Sequence, residues 1–356
     1  MGIEKIDENL AQAAYTESEG RRSYTVPCAG FDLYGVFYDE SRGRFMRLDG
    51  DVADRVSEGV SFLSKHTSGG RLRFATDSAT VSISVSYDSL DQMPHMPLTG
   101  SAGFALLEKT GRTYKTVHVF RPHHTSENGY TGEVTLPEAR RREFVLYFPL
   151  YNGVSNLTVH LDKNASLYPP ERYRDVLPIL YYGASIDQGG CASRPDCSYP
   201  AILSKWNDID FINLGFSGNA KGEPLMAEYL TGIDCSLCFI AYDGNAPTPQ
   251  FLEDTHYAFY EIYRRARKDV PVVFMSIPSF DNYNRTAERR EVILRSYRRA
   301  RESGDRNVYF LDGETLYGPK DREICTVEGI HPNDLGFYRI AEHIYKLYGE
   351  IDEVFL

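Results

Sequence analysis

Hydrophobic and polar residues alternate in short runs over the first half of the chain. Seven of these runs have the period of two that places every second side chain on one face of a β-strand. Turn-forming residues separate the runs, and no long helical pattern interrupts them. The predicted strands are 71–76, 80–87, 103–109, 115–120, 132–137, 142–150 and 156–161. This spacing predicts an all-β sandwich or jelly roll.

Near residue 175 the pattern changes to near-continuous apolar runs that alternate with amphipathic stretches. The predicted strands are 177–183, 210–216, 235–243, 271–278 and 307–313, and the predicted helices are 198–206, 223–230, 248–268, 285–303 and 336–349. Apolar strands that alternate with helices are typical of a parallel sheet covered on both faces. The second half is therefore predicted to be a three-layer αβα domain.

Two domains are expected, because 356 residues exceed one ordinary domain. The stretch 167–175 contains Pro169 and Pro170, which continue neither a strand nor a helix, so it is predicted to be the linker. The resulting division is an N-terminal tail over 1–20, a β-sandwich domain over 21–170 and an α/β domain over 176–356.

Charge and hydropathy narrow the range of partners. The formal net charge of −11 disfavours nucleic acid and anionic membrane surfaces, which repel an acidic protein. The sequence has no run of 18 apolar residues, so no transmembrane helix is expected. The first residues lack the apolar core of a signal peptide. A cytoplasmic location is expected, and the oligomeric state stays open.

The cysteines and histidines do not suggest a metal site. Cys235 and Cys238 lie three apart on a predicted strand, so their side chains point to opposite faces. His118, His123 and His124 are close in sequence but fall on or beside surface loops. All six cysteines are expected to be reduced thiols, and neither a metal nor an organic cofactor is expected.

Candidate catalytic residues follow the strands of the predicted parallel sheet. Sites in such sheets form at the carboxyl ends of the strands. Ser185 follows the first strand, Gly218 the second and Asn245 the third. His331 follows the last strand, with Glu328 three residues earlier. Each residue taken singly also fits a turn or a helix cap.

Together these positions supply a nucleophile, a base, an orienting acid and donors for an oxyanion. Ser185 would attack, His331 would take its proton, and Glu328 would orient the imidazole. The joint placement, after separate strands of one sheet, favours the catalytic interpretation over the turn interpretation.

Four blocks in order carry a resemblance to a known family. GASIDQGG, NLGFSGN, DGN and EGIHPND resemble the blocks of SGNH/GDSL hydrolases, and Gly30-Phe31-Asp32-Leu33-Tyr34 resembles the start of the extra β-domain in one branch. The resemblance implies a flavodoxin-like catalytic domain with Ser185 as nucleophile and His331 as base. It also implies oxyanion donors at Ser185, Gly218 and Asn245.

The sequence departs from the family pattern at two positions. The family usually has Asp three residues before the histidine, where this chain has Glu328, whose side chain is longer by one methylene. Asp243 stands where many relatives have Gly, and it would contact substrate or brace its loop.

The expected function is a serine esterase that hydrolyses short-chain acyl esters, with acetyl esters of carbohydrates suggested by the resemblance. The substrate would be a small-molecule or oligosaccharide ester. Two alternatives stay open. One is an acyltransferase to a sugar or small-molecule acceptor, and the other is a catalytically weak sugar-binding protein, which Glu328 favours.

Overall fold

The computed structural model describes residues 14–18, 20–278 and 284–356. Most of the predicted tail, residues 1–13 and 19, lies outside the described residues. The described part of that tail belongs to the first domain. Thr16–Ser18 forms strand β1, which pairs with Arg21–Val26, strand β2.

The first half is a sandwich of two antiparallel sheets. One sheet has the order β1, β2, β12 (Val154–Asp162), β7 (Thr80–Tyr87) and β10 (Gly129–Thr135). The other has the order β13 (Leu167–Tyr168), β6 (Arg71–Thr76), β11 (Arg142–Tyr147), β8 (Phe104–Thr110) and β9 (Thr113–Phe120), and β3 (Asp32–Tyr34) also pairs with β6. Their inward side chains form a buried aliphatic and aromatic core. The predicted β-sandwich is confirmed.

Three short helices interrupt the sandwich, and the sequence analysis did not predict them. Helices α1 (Gly50–Val56) and α2 (Glu58–Ser64) follow the hairpin of β4 (Phe37–Asp39) and β5 (Arg44–Met46), and α3 (Leu98–Ser101) precedes β8. Asp49 caps α1 and Ser57 caps α2 through side-chain bonds to free backbone N–H groups. Each helix has at most seven residues, too few for its periodicity to stand out.

The second half is a five-stranded parallel sheet with helices between successive strands. The strand order is β15 (Phe211–Gly215), β14 (Ile179–Gly183), β16 (Leu237–Ala241), β17 (Val272–Met275) and β18 (Val308–Leu311). The helices are α4 (Ser185–Gln188), α5 (Tyr199–Asn207), α6 (Pro224–Thr231), α7 (Pro249–Ala266), α8 (Asn284–Glu302) and α9 (Asp334–Ile351). The predicted αβα architecture is confirmed.

The two halves share cores, so the predicted linker is not a free tether. Leu167 and Tyr168 pair with β6 as β13, which corrects the start of the predicted linker. Two of the three hydrophobic cores contain residues from both halves. In one of them Leu150 and Tyr151 pack with Ile186, next to the predicted nucleophile.

Buried arginines reinforce the contact between the halves. The Arg47 guanidinium donates to the carbonyls of Leu63 and His66 in the first half, at 2.8 and 2.6 Å. It also donates to the carbonyls of Asn213 and Gly215 on β15, at 2.9 and 3.0 Å. Breaking these bonds would leave buried carbonyl groups without a hydrogen-bond donor, which is costly. The two halves are therefore held in one arrangement.

Candidate active site

The predicted nucleophile lies at the carboxyl end of β14, at the first position of α4. The Asp187 carboxylate accepts the Ala184 N–H at 2.7 Å and also accepts the Tyr199 hydroxyl, which fixes the turn that presents Ser185. Burial raises the pKa of Asp187 to about 7, although these hydrogen bonds act in the opposite direction. Asp187 therefore shapes the turn from inside the domain.

Ser185 and His331 are in direct contact although 146 residues separate them. The distance from His331 Nε2 to Ser185 Oγ is 2.8 Å. The histidine loop closes on itself, because the Val327 N–H donates to the His331 carbonyl at 2.9 Å. With Nδ1 protonated, Nε2 has a free lone pair to accept the hydroxyl proton.

Glu328 occupies the position of the orienting acid. Its Oε2 and Oε1 lie 3.0 and 3.1 Å from His331 Nδ1. Oε1 also accepts the backbone N–H groups of His331 and Ile330, at 2.6 and 3.1 Å. The longer side chain thus folds back within the loop, so the extra methylene does not carry the carboxylate past the ring.

The electrostatics of Glu328 suit a charged carboxylate. Partial burial alone would raise its pKa, but the hydrogen bonds from the His331 backbone and side chain outweigh that effect and lower it. An ionised acid here favours the Nδ1–H tautomer and stabilises an imidazolium.

Asn245 and Gly218 follow the two strands that flank β14, and they bond to each other. The Gly218 N–H donates to Asn245 Oδ1 at 3.1 Å, and Asn245 Nδ2 donates to the Phe216 carbonyl at 3.0 Å. These bonds orient the amide and leave one Nδ2 proton for another acceptor. Gly218 has φ of 69°, a left-handed conformation that favours glycine. A substrate oxygen would have to share or replace the Gly218 bond.

Asp243 is buried just beyond the carboxyl end of β16. The residue is 1% exposed, and its carboxylate accepts the Ile277 N–H at 3.0 Å. Burial raises its pKa to about 6. This position favours bracing of the loop that carries Asn245 and argues against the substrate contact considered from the sequence.

The first domain forms most of the cleft wall, which the sequence analysis did not assign to residues. A cavity of about 410 Å³ opens over Ser217 and His331. Its first-domain lining includes Phe62 and Leu63 of α2, and Met93 and His95 of the loop after β7. The His95 and His331 ring centroids are 6.0 Å apart. Asp49 and Ser57 are residue types that favour helix N-caps, and this sequence signal could have revealed the helical part of the wall.

First-domain residues also touch the catalytic loops directly. The Tyr151 hydroxyl donates to the Ser185 carbonyl at 3.2 Å. A Cβ at Gly59 of α2 would lie 1.9 Å from Asn219 Oδ1, so a larger residue there would displace the Asn219 side chain. The predicted nucleophile and the Gly218 loop of the second domain therefore both contact the first domain.

Gln188 connects the first domain to the Gly218 loop. Its fully buried side chain accepts the Ser217 N–H at 3.0 Å and donates to the Leu150 carbonyl at 3.1 Å. Its Nε2 also lies 3.2 Å from His66 Nδ1. Burial lowers the pKa of His66 to about 3, so the imidazole is neutral and can accept this bond.

Three further observations concern the cysteines, metal ligands and membrane spans. All six cysteines lie in the described part and carry free thiols. Among the described residues no group of three or more His, Cys, Asp or Glu side chains could hold a metal ion. None of the described helices combines the length and apolarity needed to cross a bilayer.

The fold and the serine–histidine contact define an αβα protein of the hydrolase class, and comparison with protein families gives the particular group. Residues 177–348 match the GDSL-like lipase/acylhydrolase family, and residues 24–167 match the GxDLY domain, described as the N-terminus of SGNH-hydrolase-type esterases. The chain belongs to the GDSL-like lipase/acylhydrolase family, in the branch with this leading domain.

Solved structures share the whole two-domain arrangement. A protein described as a GDSL-like lipase from Bacteroides ovatus is 26% identical, with a TM-score of 0.84 over 93% of this chain and 98% of its own. A salicylyl-acyltransferase from a tetracycline biosynthetic pathway is 20% identical, with a TM-score of 0.75 over 94% and 98%. An acetyl xylan esterase from Butyrivibrio proteoclasticus is 10% identical, with a TM-score of 0.61 over 93% and 98%. Comparison with curated proteins gave no match.

Proposed function

We propose that this protein is a serine esterase that removes short acyl groups, with acetyl as the leading candidate, from carbohydrate esters. The observation that carries the proposal is the continuous chain of contacts from Glu328 through His331 to Ser185 Oγ. This arrangement suits nucleophilic attack on an ester carbonyl without a metal or an organic cofactor.

In the first half-reaction Ser185 Oγ forms a bond to the ester carbonyl carbon while His331 Nε2 takes the hydroxyl proton. The carbonyl electron pair moves onto its oxygen, near the Ser185 N–H and the spare Asn245 Nδ2 proton. The Gly218 N–H would join them by exchanging its bond to Asn245 Oδ1. When the tetrahedral intermediate collapses, the C–O bond to the alcohol breaks and His331 gives its proton to the leaving oxygen.

In the second half-reaction water replaces the alcohol. His331 takes a proton as the water oxygen attacks the acyl-enzyme, and Ser185 recovers that proton when the acid leaves. Glu328 stays ionised throughout and stabilises the imidazolium formed in each half-reaction. Its lowered pKa supports this role at neutral pH.

The carbohydrate part of the proposal rests on the fold and on the shape of the site. Proteins with this two-domain fold include an acetyl xylan esterase and a family two carbohydrate esterase from Clostridium thermocellum crystallised with cellohexaose. The cleft of about 410 Å³ is open enough to admit the end or side group of an oligosaccharide.

Acyl transfer is a second candidate, favoured by one feature of the cleft. Phe62, Leu63 and Met93 give an apolar wall to the cleft that His331 also lines. Such a wall could bind an organic acceptor in place of water. A non-catalytic sugar-binding protein was favoured by Glu328 alone, and the contact between Glu328 and His331 Nδ1 counts against it.

The test compares wild type, Ser185→Ala and the control Ser126→Ala on p-nitrophenyl acetate and on acetylated xylo-oligosaccharides. Ser126 lies in the loop before β10, outside the residues that line the cleft. We expect wild type and Ser126→Ala to release acetate equally and Ser185→Ala to lose activity by about a thousandfold or more. Equal rates for wild type and Ser185→Ala on both substrates would contradict the proposal. Added sugar acceptors that divert acetate from water would identify transfer.

A further inference from the structure

A second cavity, larger than the catalytic cleft, lies at the junction of the domains. Its volume is about 650 Å³, and it shares no lining residue with the cleft over Ser217 and His331. The hairpin between β8 and β9 forms one wall, and α5 and α9 form the other. We call this cavity the Trp206 groove, after the only tryptophan of the chain.

The Trp206 groove lies near the amino ends of the parallel strands, whereas the catalytic serine lies at their carboxyl ends. Ser185 follows the carboxyl end of β14, whereas Asp208, at the end of α5, precedes the amino end of the parallel strand β15. Tyr114, which lines the groove, donates its hydroxyl to Asp208 Oδ1 at 2.6 Å. A ligand in the groove would therefore not occupy the catalytic site.

Aromatic rings supply much of the groove surface. The Trp206 ring makes edge contacts with Tyr338 and Tyr345, at centroid distances of 5.5 and 5.8 Å. Tyr338 is 47% exposed and Tyr345 is 38% exposed. Transfer of a large aromatic side chain out of water is favourable. Three such side chains grouped on one exposed wall therefore mark a binding surface.

Charged groups lie among these rings and are not used by the fold. Glu342 and Lys346 lie one turn apart on α9, on the wall that carries the tyrosines, and Arg112 lies on the facing hairpin. None of the three has a hydrogen-bond or ion-pair partner among the residues that the structure describes. The Trp206 N–H and the hydroxyls of Tyr338 and Tyr345 likewise lack a protein partner within the described part of the chain.

This mixture of groups discriminates between occupants. A folded protein or a second copy of this chain packed into the groove would bury both signs of charge, which is costly unless each charge finds a partner. The acyl chain of a lipid would leave these charged groups without a polar partner. A pyranose ring combines an apolar C–H face, which packs on aromatic rings, with a rim of hydroxyls that bond to carboxylate, ammonium and guanidinium groups alike.

We propose that the Trp206 groove binds an oligosaccharide chain, as a second glycan site separate from the catalytic cleft. The proposal rests on the proposed function for its biological sense, because the bound chain would belong to the polymer whose esters Ser185 cleaves. Its physical basis, the grouping of exposed rings with unpaired polar groups, is independent of catalysis.

Because Trp206 is the only tryptophan, its fluorescence reports on this groove alone. We would titrate the full chain with xylohexaose and with cellohexaose, which carry no ester and are not consumed. A saturable change in tryptophan emission with at least one of the two is expected. Tyr338→Ala and Glu342→Gln should each weaken binding about tenfold, as for other ligand-contacting side chains. Tyr15→Ala, which removes a tyrosine of similar exposure (46%), should leave it unchanged.

Several outcomes would overturn the proposal. One is that tryptophan emission does not change with either sugar at millimolar concentration. Another is that the sugar-dependent change in emission is the same in Tyr338→Ala and Glu342→Gln as in wild type. A change that follows protein concentration instead of sugar would identify the groove as a contact between copies. Hydrolysis of p-nitrophenyl acetate, measured on the same samples, should be unaltered in all three variants. Sugar binding without any hydrolysis by wild type would refute the proposed esterase and leave the groove standing.

Discussion

Substitution of Glu328 tests the one position where this chain departs from the usual catalytic set. Glu328→Gln keeps the length of the side chain and removes its charge. Its amide oxygen can still accept the backbone N–H groups of Ile330 and His331, which the carboxylate now holds at 3.1 and 2.6 Å. The imidazolium formed during acyl transfer would lose its anionic partner, so the variant isolates electrostatics from loop structure.

The expected loss follows from the geometry. Opposite charges about 4 Å apart interact by about 4 kcal/mol at the effective dielectric of a protein surface. The His331 and Glu328 side chains are 22% and 38% exposed, so solvent screening reduces this figure. A loss of about 2 kcal/mol in the transition state corresponds to about a 30-fold lower kcat. KM should change little, because the carboxylate does not line the cleft.

Two companion variants separate position from charge. In Glu328→Asp the carboxylate retreats by about one C–C bond, ~1.5 Å, so it can serve the backbone N–H groups or Nδ1 but not both in the present loop. We expect its kcat to lie between those of wild type and Glu328→Gln. Glu328→Ala removes the loop bonds as well and should be the slowest of the three.

The assay is steady-state hydrolysis of p-nitrophenyl acetate from pH 5 to pH 9, with melting temperatures to show that each variant is folded. The lowered pKa of Glu328 means that its support is present above the ordinary pKa of a glutamate and is lost only as the pH falls through the lower folded value. The acidic limb of the wild-type profile should therefore not report Glu328. A kcat of Glu328→Gln within twofold of wild type across this range would refute a catalytic use of the charge.

The remaining predictions concern the groups that support the nucleophile. Asn245→Ala should lower kcat by about 100-fold or more with little change in KM, as expected for a lost oxyanion donor, and an unchanged kcat would remove Asn245 from the mechanism. Gln188→Met keeps the volume but leaves the Ser217 N–H without its acceptor, so kcat should fall by about tenfold at unchanged KM, whereas a change in melting temperature alone would indicate a purely structural role. Arg47→Met should lower the free energy of unfolding by about 3 kcal/mol or more, measured by urea denaturation, because buried carbonyls lose their donor. The pKa of Asp243, raised to about 6 by burial, makes the folded chain bind a proton that the unfolded chain has lost, so its contribution to stability falls as the pH rises from about 4 to about 6; Asp243→Asn should flatten the melting temperature over that range.

The sequence predicted the regular parts of both domains because their patterns depend on burial alone. The strands 71–76 and 80–87 were predicted with the bounds that the structure gives β6 and β7. Strand β16 was predicted because a strand covered on both faces is continuously apolar, and all five of its residues are buried. Helix α7 was predicted from the regular spacing of its buried residues.

Short elements and connections were missed for a different reason. Helices α1 and α2 span seven residues each and pack on the α/β domain through Ala53 and Val60. Their apolar faces match a surface far away in sequence, so no local period marks them. The pair at Leu167 and Tyr168 was taken into the linker because two residues of strand leave no detectable alternation.

The candidate catalytic residues could be placed from sequence because the topology brings strand ends together. Ser185 and His331 meet for that reason, at 2.8 Å. The detailed bonding could not be predicted. That Glu328 reaches Nδ1 depends on how its loop folds back, and that Asp243 is buried depends on the Ile277 N–H behind it.

The bonding between the domains changes what the leading domain means for catalysis. The Gly218 loop follows β15, whose Asn213 and Gly215 carbonyls are held by Arg47 of the first domain. Gln188 ties the same loop to Leu150 and His66, also of the first domain, through its bond to the Ser217 N–H. An oxyanion donor is effective only when it is fixed before the reaction begins. The leading domain therefore supplies a wall of the cleft and also holds in place the backbone loop whose Gly218 N–H would donate to the oxyanion. Its loss would disable the site even if the α/β domain remained folded.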